Sequence, residues 1–563
     1  MSTEPREALG GVCSEFGIAM GDSPINVPGV LESARFPVVA DTEALPADVA
    51  VGVRDARRAQ APASLLGRVC SFPVMLGTLL VGAVFVTSRR FAVDPDLWWH
   101  LKNGQNILAT HHWPTTDPFS FTVAGQPWIS TEWLGDVLMG AVARVAGLQG
   151  LEALLIALGG SVMVGLYLLA SVRAGNSKAG FAAGAILLPL ANLSFSLRPQ
   201  MLGYLFLILA LITLEQFRRG NSKYVWLLPI LLLVWVNTHG SFIIGMVAIA
   251  AYWLGGLFDL HLGGIESVQW TPAQRLRLEI VFLLSLLALP ITPYGSEMAL
   301  YPFHVASSLP MGVANVLEWQ PMPFNIVAGK FFLALLLGFF LLQIAFHFTW
   351  RLDELGLFLF GTMMACLHVR FVLLFVPFFA PLLATMLGKW VPRYESSKDK
   401  YILNAAVMAG AAVAIVCFFP SYREMEQFVA RDFPVRAVEY IEQHSVPGPM
   451  LNSYGFGGYL VWKDIRVFVD GRADPYERGG SLADYFYITH LKRGAAEVLQ
   501  RYGINSCLLY SDEPLATLLA NLPGWRRAYA DNLSVLFVKQ NSIAFSGATR
   551  GNGASAQGQK EGR

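Results

Sequence analysis

Asp94 and Asp96 stand two residues apart across Pro95, and His100 follows four residues after Asp96, in the run DPDLWWHL. Two carboxylates at that spacing can face one polar cleft, where each alters the proton affinity of the other. Such a pair is suited to taking a proton from a hydroxyl or amine as a new bond forms. If residues 96–110 are helical, His100 shares a face with Asp96. By ligand type the trio also suits a divalent metal, and no other cofactor is implied. Trp98 and Trp99 fit either stacking on a sugar ring or anchoring at a membrane surface. The aspartates have a second reading, as the cap of an interfacial helix.

The elements that must position these residues are membrane helices. Hydrophobic residues make up 54% of the 563 and charged ones 14%, against roughly 25% charged in a soluble domain. Mean hydropathy is +0.48. This is the profile of an α-helical polytopic membrane protein. A net charge of +1 provides no basic field for nucleic acid. The five cysteines lack the spacing of a zinc site or a disulfide framework. Apolar segments at about 69–88, 151–172, 179–197, 200–217, 224–238, 241–258, 280–291, 327–347, 355–369, 371–388 and 402–420 predict about 11 transmembrane helices. The stretch 132–147 is also apolar but carries Glu132, Asp136 and Arg144. It reads as a helix lying in the interface.

Basic residues orient the chain. Arg54, Arg57, Arg58 and Arg68 precede the first span and place the N-terminus in the cytoplasm. The connections that return there (173–178, 218–223, the stretch with Arg275 and Arg277, the one with Arg351, and 389–400) hold most of the loop Lys and Arg. They read as ordinary basic anchors, and Arg89 and Arg90 are the main residues that run against the pattern. DPDLWWHL, SLRP (196–199), NTHG (237–240), TPYG (292–295), LEWQ (317–320) and HVRF (368–371) then fall on the extracytoplasmic side. The protein is expected in the inner (plasma) membrane.

Four regions follow. Residues 1–66 read as a disordered cytoplasmic tail and 541–563 as a second disordered tail. Residues 67–420 form the transmembrane part, with a long first outer loop, 89–150. Residues 421–540 read as a small extracytoplasmic α/β domain: a helix at PVRAVEYIEQHS, strand, glycine turn and strand at PMLNSYGFGGYLVW, a buried strand at IRVFVDGRADPY, and strands at GINSCLLY and LSVLFVK. Asp470, Arg472 and Asp474 of DGRAD either face the cleft or hold their turn together by ion pairing.

A cytoplasmic N-terminus, one span, an acidic first outer loop, an interfacial helix, many spans and an outer domain together resemble the C superfamily of glycosyltransferases (GT-C). That group includes protein O-mannosyltransferases, lipid A aminoarabinose transferases and oligosaccharyltransferases. The likeness covers roughly 69–420 and is nearest over 69–220. DPDLWWHLKNGQNIL and TDPFSFTVAGQPWISTEWL resemble a bacterial subgroup. The resemblance implies a polyprenyl-phosphate sugar donor, transfer to a lipid, glycan or protein acceptor of the envelope, and a carboxylate of the first outer loop as base. Where the mannosyl and aminoarabinose enzymes have an Asp-Glu pair, this chain has Asp94 and Asp96. Asp94, nearest the end of the first span, takes the place of the base, with Asp96 as partner.

A departing phosphate needs cations or hydrogen-bond donors. Arg198, His239, His368 and Arg370 are placed to supply them, unless the arginines reach to lipid head groups instead. His100, Asp117 and Glu132 either bind substrate or hold the loop. Three rival readings carry other expectations. A ligase or polymerase of lipid-linked glycans would draw on arginines and histidines of a later outer loop. A transporter or flippase for a lipid or sugar would carry charges at the membrane midplane, and the sequence has few. A non-catalytic membrane scaffold would tolerate loss of Asp94 and Asp96. Besides donor and acceptor, membrane lipids are the expected partners.

Overall fold

Residues 65–88, 94–308 and 314–540 are described by the computed structural model. The tails expected at 1–66 and 541–563 fall outside them, apart from the start of a short helix, Leu65–Val69. Arg89 and Arg90 fall outside them too.

Each apolar segment is occupied by a helix, because in hydrocarbon only intrachain bonds can satisfy the backbone. The first half comprises α1 Phe72–Thr87, α2 Asp96–Thr110, α3 Trp133–Ala174, α4 Ser177–Asn192, α5 Gln200–Arg218, α6 Leu228–Val236 and α7 Phe242–Leu254. The second comprises α8 Pro272–Ala288, α9 Ser296–Ser308, α10 Val327–Ala345, α11 Leu352–Leu367, α12 Val372–Leu387 and α13 Tyr401–Cys417. Among the described residues, four helices have the length and hydropathy to cross a bilayer alone: α3, α5, α10 and Val369–Leu387, which contains α12. The bent pair of α13 and Tyr422–Asp432, 64° apart, would make a fifth as one broken span.

The helix α3 joins two segments that the sequence separates. Its 42 residues break at Gly147, whose φ of 57° lies in the left-handed region open to glycine. The half before the break is the helix read at 132–147, and the half after it holds the segment 151–172. The short helix α2 lies against the first half at backbone distance. A Cβ on Gly104 would sit 1.9 Å from the Asp136 carbonyl oxygen.

Several helices carry charge at both ends. Glu132 and Asp136 begin α3, and Arg173 ends it. Arg198 precedes α5, which closes with Glu215 and Arg218. Asp353 and Glu354 open α11, and His368 follows it. At one pole Arg173 binds Glu354 (3.0 Å), Arg218 binds Asp353 (2.9 Å), and Arg351 binds Glu215 (2.7 Å) and Glu354 (2.9 Å). These three arginines were expected as ordinary basic anchors. They are instead partners for carboxylates buried at helix ends, which could not remain charged there alone.

Beyond α13 the chain forms a sheet. Two small strands, β1 Leu260–Leu262 and β2 Ile265–Ser267, pair with β3 Trp350–Arg351 earlier in the chain. The C-terminal sheet is built from β4 Met450–Asn452, β5 Ser506–Tyr510, β6 Trp525–Ala530 and β7 Ser534–Lys539, in the order β4-β5-β7-β6. Strand β4 runs parallel to β5, with Leu451 opposite Cys507, and the other pairs are antiparallel. The second strand expected in PMLNSYGFGGYLVW is a helix, Gly457–Trp462. Its glycines let the backbone touch Pro95 and Val469, where a Cβ would meet their carbonyl oxygens at 2.1 and 2.3 Å. IRVFVDGRADPY is buried but makes only a single bridge, Ser120 to Val467, in place of a strand. This region belongs to one compact unit with the helices. Trp98 packs edge-on against Phe433 and Tyr459 with centroids 5.4 and 5.2 Å apart, and Lys102 pairs with Asp464 at 2.6 Å.

Candidate active site

Asp94 and Asp96 converge on one arginine. The turn before α5 presents Arg198, whose Nε donates to Asp94 and whose Nη1 lies 3.2 Å from Asp96 and 2.9 Å from Glu318. Asp94 Oδ1 also accepts the Asp96 backbone N–H at 2.9 Å, so it braces the start of α2 as well. Burial alone would raise the Asp94 carboxyl, but Arg198 holds it below its ordinary value. Burial, reinforced by Asp94 and Glu318, pushes Asp96 up despite the same arginine. Asp96 is also the more open of the two, with 18% of its side chain exposed against 6% for Asp94.

A second group lies one helical turn further along α2. Burial would depress the proton affinity of His100, but Asp136 and Glu132 raise it. Its Nδ1 lies 2.6 Å from Asp136 Oδ1, and Nε2 lies 3.5 Å from Glu132. Asn103 Nδ2 and Ser130 Oγ donate to the other Asp136 oxygen at 2.6 and 3.2 Å. Glu132 in turn meets His239 Nε2 at 3.2 Å. The Ser241 backbone N–H donates to His239 Nδ1 at 3.1 Å, which leaves the ring proton on Nε2, toward Glu132. Burial, against the pull of His100, pushes Glu132 up to about 7, and burial with nearby Arg370 pushes His239 down to about 3. His239 is therefore a neutral donor to Glu132 rather than a cation for phosphate.

The third group interlocks LEWQ with HVRF. His368 donates its Nδ1 proton to the Trp319 carbonyl at 2.6 Å, and Val369 N–H donates to the Gln320 carbonyl at 3.0 Å. The Arg370 guanidinium lies 4.4 Å from the Trp319 ring centroid. Arg370 has no ion pair among the described residues, yet its charge acts on both Glu132 and His239.

Asp94, Asp96, His100, Glu132, Arg198, His239, His368 and Arg370 thus gather where loops join the helices, at the ends opposite those held by Arg173, Arg218 and Arg351. Asp117 does not take part. Ser120 N–H and Oγ donate to it at 2.9 and 2.6 Å and Arg472 pairs with it at 2.8 Å, so it holds the loop. Trp98 and Trp99 are buried against the C-terminal region and against His100 and Trp128, so they serve neither as a sugar platform nor as a lipid anchor. Glu318, Asp136, Asn103 and Ser130 were not singled out from sequence, although Glu318 sits in LEWQ and Asp136 is a charge inside an apolar helix. No three His, Cys, Asp or Glu side chains among the described residues gather as a metal site would require. Asp94 and Asp96 close on Arg198, while His100 turns to Asp136.

No family model matches the sequence. No curated protein matches it either. Solved structures do. The chain is similar to an oligosaccharyltransferase from Archaeoglobus fulgidus tethered to an acceptor peptide, at 12% identity and a TM-score of 0.46, over 77% of this chain and 68% of the other. It is similar to ArnT from Cupriavidus metallidurans bound to undecaprenyl phosphate, at 14% identity and a TM-score of 0.46, over 82% and 96%. The apo form of that ArnT gives 0.47 over 83% and 97%, again at 14% identity.

Proposed function

We propose that this protein is a membrane glycosyltransferase that moves a sugar from a polyprenyl-phosphate donor to an envelope acceptor at the extracytoplasmic face. The observation that carries the reading is the gathering of Asp94, Asp96, Glu132, Arg198 and Arg370 from separate loops at one pole of the helices. It supports the reading because carboxylates able to take a proton lie in the same group of loops as Arg370, whose charge acts on Glu132 and is not paired among the described residues.

Asp96 is the better base. A general base works best when its proton affinity approaches the working pH and the acceptor can reach it. Asp94, where sequence places the base, is more deeply buried and committed to Arg198. In the step itself the acceptor oxygen attacks the anomeric carbon, and its proton passes to Asp96. The bond from the anomeric carbon to the phosphate oxygen breaks, and its electron pair leaves with the polyprenyl phosphate. Arg370 meets that charge, because the charge of Arg198 is already shared among three carboxylates that would repel a phosphate. Arg198 orders the acidic cluster where a divalent cation would otherwise be expected. Deletion of the gene tests the reading: lipid-linked sugars should accumulate, and their absence would count against this donor class.

A further inference from the structure

Gly471 presses directly on Asp96. A Cβ at that position would sit 1.6 Å from Asp96 Oδ1 and 2.7 Å from its Cγ. No side chain fits there, and Gly471 follows Asp470 in DGRAD, far from α2 in sequence. The turn that carries it is unusually fixed. Arg472 forks onto Asp470 at 2.9 and 2.7 Å, pairs with Asp117 at 2.8 Å, and bonds to Tyr476 at 3.0 Å. Its guanidinium lies 4.6 Å from the Trp128 ring centroid and 4.8 Å from that of Phe119. Phe121 N–H to the Val467 carbonyl (3.1 Å) and Thr122 Oγ1 to the Phe468 carbonyl (2.7 Å) tie the same loop to the strand-like segment before the turn.

We infer that the Asp470–Arg472 turn is a positioning element of the active site, setting the Asp96 carboxylate against Arg198 through the close approach of Gly471, with Arg472 as the positioning residue. The inference rests on the proposed role of Asp96. The groups acting on Asp96 come from every side: Asp94 and His100 from its own segment, Arg198 and Glu318 from the membrane part, and Tyr454 from the C-terminal region. The Gly471 peptide covers one oxygen and leaves the other toward Arg198 Nη1. Release of that peptide would let the carboxylate turn and admit water, and a misplacement of about 1 Å costs on the order of 10²-fold in rate.

The test uses the full-length protein in lipid nanodiscs, with two readouts. Modification of Asp96 by a hydrophobic carbodiimide, followed by peptide mass spectrometry across pH, reports its surroundings whether or not sugar is transferred. Gly471→Ala intrudes on Asp96, and Arg472→Lys loosens the clamp while keeping its charge. Gly479→Ala is the control, since its Cβ meets Val123 at 2.5 Å instead. Gly471→Ala and Arg472→Lys should each displace the modification midpoint by about one pH unit and lower turnover by at least roughly tenfold, with donor KM nearly unchanged. Gly479→Ala should do neither. If Gly471→Ala fails to insert, Arg472→Lys alone decides. Unmoved midpoints, or an equal shift in the control, would overturn the inference. Shifted midpoints in a protein whose wild type transfers no sugar would sink the reaction assignment but uphold the hold on Asp96.

Discussion

Arg198 donates to Asp94 across 104 residues of sequence, joining the loop after α1 to the turn before α5. This pairing makes Arg198 part of the acidic cluster. Arg198→Ala would leave Asp94, Asp96 and Glu318 without their common partner. Turnover should collapse while donor KM changes little, and Arg198→Lys should recover part of the rate. A raised donor KM with normal turnover would return Arg198 to phosphate binding.

Arg370 should show the opposite split. Loss of a charge-assisted contact costs about 1.5–3 kcal/mol, so Arg370→Ala should raise donor KM by roughly ten- to a hundredfold. Arg370→Lys should fall between. Titration of donor into each variant gives the values, and an unchanged KM in Arg370→Ala would remove the phosphate from this side of the site.

Glu132 gives the site a pH signature. Its carboxyl is pushed up to about 7 from an ordinary 4.5, so the folded protein holds that proton more tightly than the unfolded chain. The stability it contributes is fully present below about 4.5 and is lost as pH rises through about 7. Thermal unfolding in detergent should show that decline in the wild type, and Glu132→Gln should flatten it. Identical pH profiles for the two proteins would contradict the assignment.

Chelation separates arginine from metal. With Arg198 in contact with all three carboxylates, transfer should proceed unchanged in EDTA. Loss of activity that returns with added divalent cation would show that a metal displaces the arginine during turnover.

Sidedness is open to labelling. Arg472 pairs with Asp117, so the loop after α2 and the C-terminal region share one side. Cysteines introduced in 430–530 should react with an impermeant reagent in cells with a permeabilised outer membrane, and those in 389–401 should not. The reverse pattern would place the site in the cytoplasm.

The helices were legible because apolar runs without charge leave a membrane backbone no alternative. Asp94, Asp96 and Arg198 were legible because charged residues beside such runs are rare. The different surroundings of the two aspartates were not, since they depend on how Arg198 divides its contacts between them and on which one Gly471 approaches. Glu318 escaped notice as one acidic residue among several in polar loops. The pairing of Arg173, Arg218 and Arg351 with Glu215, Asp353 and Glu354 was hidden for the same reason: a basic residue at a helix end looks alike whether it meets lipid or a carboxylate. The helix Gly457–Trp462 was misread as a strand because its aromatic and β-branched residues favour strands, and packing against Pro95 overrode that preference.

The central claim is that Asp96 takes the acceptor's proton during sugar transfer from a lipid-linked donor. The direct measurement is the level of polyprenyl-phosphate sugars in a deletion strain carrying wild-type protein, Asp96→Asn or Asp94→Asn, with membrane insertion checked for each. Wild type should clear the accumulated donor. Asp96→Asn should be inserted normally yet turn over roughly 10²–10⁴-fold more slowly, leaving the donor in place, with Asp94→Asn less severe. Clearance at the wild-type rate by normally inserted Asp96→Asn would contradict the account.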